Sequence, residues 1–221
     1  MELTLAPLWN ARWFLLQALG VTVAISLVSM ALGLLIGLLI GLGRTYGPRW
    51  LDLALGLYVD SMRAIPVLVV LVWTYFAFPL LAGRSVDAFT AASVALGLHL
   101  GAYVAETIRA GLTSVRAGQM RAALALGMSR AQAIRTIILP QALVRMLPSL
   151  GSLLVIAIKD SAIASVVAVP ELMRQSQIVA GRTYRPFEIY TAAMLTYFLL
   201  CYPVARGVDR VYRKVAALGA S

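Results

Sequence analysis

The chain has 221 residues, of which 61% are hydrophobic and 13% charged, and its formal net charge is +10. Soluble domains are about 45–50% apolar and about 25% charged, so this composition excludes a soluble globule and predicts an all-α polytopic membrane protein. The contents of glycine, proline and cysteine (17, 9 and 1 residues) exclude collagen-like and disulfide-scaffold classes. Basic residues separate the apolar runs, which indicates membrane orientation rather than a nucleic-acid partner.

Five apolar segments are long enough to cross a bilayer, which takes about 20 residues of helix. In chain order they are residues 17–42, a second segment within 51–81 whose firmest part is 65–81, and residues 89–108, 146–169 and 187–204. If the N-terminus lies outside, 12 basic residues fall on the cytoplasmic side and five on the other. The positive-inside rule therefore predicts an N-out, C-in topology. Residues 1–221 are expected to form a single transmembrane domain.

The first span carries Gly33, Gly37 and Gly41 at four-residue spacing. Glycines one turn apart form a groove into which another helix can pack closely, and this interpretation is favoured over simple tolerance of glycine in lipid. Ala157, Ser161 and Ser165 repeat the pattern in the fourth span.

The loop at about residues 109–145, predicted to be cytoplasmic, has a structure of its own. Residues 117–126 are rich in Ala and Leu and predict a helix that ends at Gly127. Ser129 and Gln132 have the spacing of a capping box, which predicts that a second helix starts at once and runs to Pro140. Such a unit is either an amphipathic pair lying on the membrane or a docking element for a soluble partner.

The same loop resembles a conserved motif of ABC importer permeases: an Ala-Ala pair, a Gly a few residues on, and a Leu-Pro about a dozen residues later. Similar segments of the polar amino-acid uptake branch recur along the chain at residues 63–66, 101–106, 159–161, 164–166, 169–172 and 182–188. The resemblance implies that one group of residues couples the chain to an ATPase. These residues are Arg121, Ala122, Ala123, Gly127, Met128, Ser129, Leu139 and Pro140.

The family resemblance also implies the partners and the location. We expect a second permease chain, identical or homologous, a dimeric ABC ATPase and an extracytoplasmic amino-acid-binding protein, in a bacterial cytoplasmic (inner) membrane among its lipids. The family usually has Glu immediately before the Ala-Ala pair, where this chain has Arg121. A contact made by that glutamate therefore does not carry over.

The chain lacks the motifs of an enzyme. A P-loop needs G-x-x-x-x-G-K-[ST], and neither lysine, Lys159 or Lys214, follows a glycine. We therefore expect no catalytic residue and no cofactor on this chain, with ATP and Mg bound by the partner ATPase. One His and one Cys in separate spans predict no metal site.

Polar residues inside the spans are candidates for the substrate path, because a charge in a bilayer needs a partner or water. These candidates are Asp160, Lys159, His99 and Ser161. For Lys159 and Asp160 the alternative is an ion-pair network between helices. Two further pairs at three-residue spacing are interpreted as structural ion pairs, Asp60 with Arg63 and Glu106 with Arg109.

The resulting hypothesis is the permease subunit of an ATP-driven, binding-protein-dependent importer of polar amino acids. If Asp160 receives the α-ammonium of the substrate, a cationic side chain would need a second carboxylate. The neighbours of Asp160 on its helix face are apolar, which favours a neutral or acidic amino acid over arginine or lysine. One alternative is a secondary transporter that uses an ion gradient, although five spans without an inverted repeat count against it. The other is a non-transporting membrane scaffold, for which intramembrane charges have no use.

Overall fold

The computed structural model describes residues 4 and 6–218, and the regular elements in this part of the chain are all helices. They are α1 (Ala6–Tyr46), α2 (Arg49–Ala64), α3 (Val67–Ala82), α4 (Ala88–Ser114), α5 (Ala117–Ala125), α6 (Arg130–Val167), α7 (Leu172–Thr183) and α8 (Pro186–Leu218). Four of them, α1, α4, α6 and α8, are long and apolar enough to cross a membrane. The pair α2 and α3 makes a fifth crossing if it is counted as one broken span.

The second predicted span is a broken helix. Helix α2 ends at Ala64, α3 begins at Val67, and the two are bent by 104°. Pro66 lies in the break, where its ring disfavours helix at the preceding residue and its nitrogen offers no hydrogen. Ile65 accordingly has extended backbone, with φ −88° and ψ 130°.

Helix α6 shows that the helix predicted to stop at Pro140 continues instead to Val167, so most of the predicted loop is helical. A π-helical turn over Ile134–Ile138 precedes the proline, which then occupies the first turn of the following α-helical segment. A proline costs little in that position because the N–H it lacks would have no α-helical partner there. The helix tightens into 3₁₀ geometry over Ser161–Val167. Helix α7 had no counterpart among the predicted segments.

The glycines of α1 pack directly on α4. A Cβ atom added at Gly33 would lie 3.0 Å from Leu100 Cβ, one at Gly37 2.5 Å from Val104 Cβ, and one at Gly41 2.9 Å from Ile108 Cβ. The constant offset between the two series means that α1 and α4 run in the same direction. The small residues therefore bring two helix backbones together, as their spacing predicted.

The directions of the helices fix the relative placement of the termini. Because α1 and α4 are parallel, the bent pair α2–α3 must bring the chain back across the bundle between them. Helix α6 runs against α4, since Gly111 faces Met146 and Ser114 bonds Arg145. Helix α8 runs against α6, because Tyr197 bonds Glu171 beyond the end of α6 while the later residue Val208 packs on Gly151. The unit around Gly127 thus lies at the same end of the bundle as the end of α8, and α1 begins at the opposite end.

Candidate functional site

The α5–Gly127–α6 unit is held by two complementary caps. The Met128 N–H donates to the Ala123 carbonyl over 3.1 Å and the Gly127 N–H to the Leu124 carbonyl over 3.0 Å. These are the two bonds of a Schellman motif, and they place Gly127 in the left-handed region at φ 79°. Ser129 and Gln132 then form the predicted capping box at the start of α6. Hydrogen bonds therefore close both sides of the break between the two helices.

One face of this unit is exposed, and the other face is buried between α5 and the start of α6. Leu126 is 83% exposed, an unusual position for a large apolar side chain on the outside of a folded unit. Ala123 and Ala133 are buried and join α5 to the first turns of α6. The residues expected to couple to an ATPase divide accordingly. Arg121, Ala122, Gly127, Ser129 and Pro140 are exposed, Met128 and Leu139 are half-buried, and Ala123 is buried.

A polar cavity of about 570 Å³ opens between α4, α6 and the end of α2. Its lining includes two guanidinium groups, of Arg63 and Arg145, and the carboxylate of Glu106, with Tyr103 and Ser149 beside them. The Arg63 guanidinium carbon lies 5.7 Å from the centre of the Tyr103 ring. Arg145 donates to the Ser114 carbonyl and, over 3.1 Å, to the Ser114 hydroxyl. The cavity can therefore contact both a carboxylate and an ammonium group.

Glu106 is the centre of an ion-pair network at one side of this cavity. Arg109 contacts both of its carboxylate oxygens, at 2.5 and 3.2 Å, which is the pairing expected from their spacing. Arg44 adds a second contact to Glu106 at 3.1 Å and also pairs with Asp52 at 3.1 Å. The network joins α1, α2 and α4, and the three-residue spacing on α4 revealed only one of its three pairs.

The expected pair of Asp60 and Arg63 does not form. No ion pair joins them in the part of the chain that the structure describes, and both residues are exposed. The reason is that Arg63 turns towards the Tyr103 ring and the polar cavity, where its guanidinium is attracted by the ring face. Arg63 is therefore a cavity residue rather than half of a local ion pair.

The four candidates for the substrate path do not line that polar cavity. Lys159 is exposed and lines a separate cavity of about 340 Å³ between α6 and α8, together with Asp209. Asp160 is half-buried at the point where α6 changes to 3₁₀ geometry. Ser161 is fully buried, and its hydroxyl donates to the Ile158 carbonyl over 2.7 Å.

His99 lies apart from the other three, against the break between α2 and α3. Its imidazole lies near the Met62 carbonyl, close to the end of α2. In a continuous helix that carbonyl would accept from residue 66, but Pro66 has no N–H to donate. His99 thus lies beside a carbonyl that lacks its helical donor, and its Nδ1 is buried without a partner in the described structure.

Glu171 is a buried carboxylate that accepts several hydrogen bonds, and no role was predicted for it from the sequence. The residue is fully buried before α7, and its carboxylate accepts the N–H groups of Met173 and Arg174 and the hydroxyl of Tyr197, at 2.8, 2.6 and 2.8 Å. Burial raises the pKa of the Glu171 carboxyl above its ordinary value, while these hydrogen bonds act in the opposite direction. These contacts join α7 to α8. The N–H of Leu172, the first residue of α7, donates to the Thr22 hydroxyl of α1.

A periodic signal in the sequence could have revealed the cavity. Arg145, Ser149 and Ser152 recur at spacings of four and three residues, which places three polar groups on one face of α6. For Glu171, its position directly before a helical segment is the typical signal of an N-terminal cap. Within the described residues, no group of three or more His, Cys, Asp or Glu side chains could hold a metal ion.

Comparison with known proteins agrees with this architecture. The family model described as "Binding-protein-dependent transport system inner membrane component" matches residues 33–217. The chain is 36% identical over 220 residues to the "Glutamine transport system permease protein GlnP" of Escherichia coli (strain K12), covering 99% of this chain and 100% of that protein. It is 39% identical over 188 residues to the "Probable amino-acid ABC transporter permease protein YckA" of Bacillus subtilis (strain 168), covering 85% and 83%.

Solved structures give the same result for the fold. The crystal structure of an amino acid ABC transporter with histidines matches with a TM-score of 0.90 and 33% identity, covering 97% of this chain and 100% of that one. An inward-facing structure of the MetNI methionine ABC transporter matches with a TM-score of 0.80 at 24% identity, over 93% and 98% of the two chains, and supports the fold alone. The chain belongs to the inner membrane components of binding-protein-dependent transport systems, as the permease subunit of an ABC importer.

Proposed function

We propose that the chain forms half of the translocation path of an ATP-driven importer of polar amino acids, with a second permease chain, identical or homologous, as the other half. The single observation that carries the proposal is the exposed, doubly capped unit around Gly127, which continues without interruption into α6. A dimeric ABC ATPase binds this unit and holds the ATP and Mg, so the permease itself needs no catalytic group. An extracytoplasmic binding protein delivers the amino acid.

The proposed orientation is N-out and C-in, in a bacterial cytoplasmic (inner) membrane. It places the unit around Gly127 on the cytoplasmic side, together with most of the basic residues that flank the spans. The ATPase surface that meets Arg121 is then acidic or neutral, since a basic surface would repel it.

The proposed coupling runs along α6. Closure of the ATPase pair on ATP moves the exposed unit, and α6 transmits this movement as a continuous helix that borders the polar cavity through Arg145 and Ser149. Asp160 and Ser161 lie farther along the same helix, at the change to 3₁₀ geometry. Lys159 and His99 complete the proposed set of substrate-path residues.

The proposed substrate is a neutral or acidic polar amino acid, with glutamine as the first candidate. The names of relatives similar to this chain point to glutamine. The chemistry of the cavity is compatible with a zwitterion, because two arginines and one glutamate face it. Outside this cavity, Asp160 would meet the α-ammonium of the substrate. A cationic side chain would need a second carboxylate, and the neighbours of Asp160 on its helix face are apolar.

Purification of the intact complex tests this assembly. Native mass spectrometry should show two permease chains with two ATPase chains, and the vanadate-sensitive ATPase activity of the complex should rise when the binding protein carries glutamine. A complex with one permease chain would contradict the proposed assembly. ATPase activity that responds to arginine but not to glutamine or glutamate would contradict the proposed substrate class.

A further inference from the structure

We propose that the outward face of the last two thirds of α8 binds an anionic phospholipid of the cytoplasmic leaflet. The face consists of Leu195, Leu199, Tyr202, Arg206, Arg210 and Arg213, and we call it the α8 arginine face. Spacings of four and three residues place all six on one side of the helix. The orientation of this face in the membrane rests on the proposed C-in topology.

The α8 arginine face is free in the described structure, whereas the opposite side of the helix faces α1 and α6. Val208 and Val211 line an apolar crevice against α1 and α6, and Val208 packs on Gly151. By contrast, Leu195, Leu199 and Tyr202 are 51%, 67% and 48% exposed. An exposed apolar strip along a membrane-crossing helix is a surface for acyl chains.

The arginines follow directly after this strip, and together they outline a cleft. A cavity of about 440 Å³ is lined by Tyr202, Pro203 and the three arginines. Two of the guanidinium groups are oriented by their own helix: Arg206 Nε donates to the Tyr202 hydroxyl over 3.2 Å, and Arg213 Nε to the Asp209 carbonyl over 3.3 Å. These bonds leave the terminal nitrogens of both groups available to an outside acceptor.

The charge of the cleft selects the ligand. Within the described residues no carboxylate lies within 4.0 Å of Arg206, Arg210 or Arg213; the nearby acid, Asp209, attracts Arg206 only over a longer distance. Three clustered cations beside an apolar strip match a phosphate headgroup with its acyl chains, and anionic lipids are concentrated in the cytoplasmic leaflet. A soluble anion would use the arginines but not the strip.

The test uses the complete transporter in nanodiscs of phosphatidylglycerol and phosphatidylcholine, with retained lipid counted by native mass spectrometry. The wild type should retain phosphatidylglycerol preferentially. Arg210→Gln should lower that preference about five-fold. This is the change in binding expected for the loss of one basic residue at an anionic membrane surface. Within the described residues, Arg210 makes no hydrogen bond or ion pair whose loss would disturb the fold. Arg182→Gln, which removes another exposed charge, on α7, is the matched control and should leave the preference unchanged.

Three results would overturn the proposal. One is equal retention of phosphatidylglycerol in wild type and Arg210→Gln. Another is an equal loss in the Arg182→Gln control. The third is unchanged lipid retention with loss of the ATPase or of the second permease chain, which would make the face a protein interface. The measurement needs no transport, so a failure of the proposed transport function leaves it unaffected.

Discussion

Glu171 and Asp87 each cap the beginning of a helix, but they differ in burial and therefore in consequence. Asp87 is exposed, and its hydrogen bonds from Thr90 hold the pKa of its carboxyl below the ordinary value. Glu171 is fully buried and satisfies three donors from α7 and α8. Removal of a buried acceptor leaves its donors without a partner, whereas water replaces an exposed one.

Glu171→Ala should therefore destabilise the protein by about 1–3 kcal/mol, the cost of leaving buried donors unsatisfied. Asp87→Ala, the matched exposed cap, should cost distinctly less. The measurement is the thermal unfolding midpoint of both variants in detergent. Equal shifts in the two variants would contradict the role given to Glu171.

Asp160 tests the proposed substrate path at the level of one side chain. Asp160→Asn keeps the shape and removes the charge, so uptake by the reconstituted complex should fall at least about ten-fold if this carboxylate meets the substrate, equivalent to about 1.4 kcal/mol. The affinity of the binding protein for the amino acid should stay constant, because that site is on another chain. Asp60→Asn is the control, because Asp60 is exposed and forms no ion pair in the part of the chain that the structure describes. Normal uptake by Asp160→Asn would remove Asp160 from the path.

At the scale of helices, the contact of α1 with α4 depends on the absence of side chains on α1. Gly37→Ala would place a methyl group 2.5 Å from the Val104 side chain and 2.9 Å from the Ala105 nitrogen. Overpacking of this kind costs about 1–3 kcal/mol. Gly20→Ala, on the same helix with nothing within 4 Å, should not destabilise. Thermal unfolding of the two variants distinguishes packing from a general intolerance of alanine in α1.

A substitution at the break between α5 and α6 should act through backbone conformation rather than through steric overlap. At Gly127 an added Cβ meets nothing within 4 Å, but φ is 79°. Gly127→Val should strain the Schellman motif and lower the amount of amino acid imported per ATP hydrolysed, while hydrolysis continues. Gly127→Asn, which tolerates this conformation, should retain coupling, and so should Gly118→Val in the regular part of α5. Wild-type coupling in Gly127→Val would exclude a rigid Gly127 unit as the link.

At the scale of the whole molecule, local signals predicted most elements and missed what depends on distant contacts. Residues close together in the sequence predicted three features that the structure confirms. These are the capping box at Ser129, the break at Gly127 and the packing of Gly33, Gly37 and Gly41. The π-helical turn that lets α6 continue past Pro140 has no such signature. Neither has the meeting of Arg44 with Glu106, which are 62 residues apart.

The central claim is that this permease couples transport to ATP hydrolysis on a partner, and one measurement tests it most directly. The purified complex is reconstituted into liposomes with the amino-acid-loaded binding protein on the outside and ATP enclosed. We predict glutamine uptake that requires enclosed ATP, stops with vanadate and is indifferent to dissipation of ion gradients. Uptake without ATP that follows a proton or sodium gradient would contradict the account and indicate a secondary transporter.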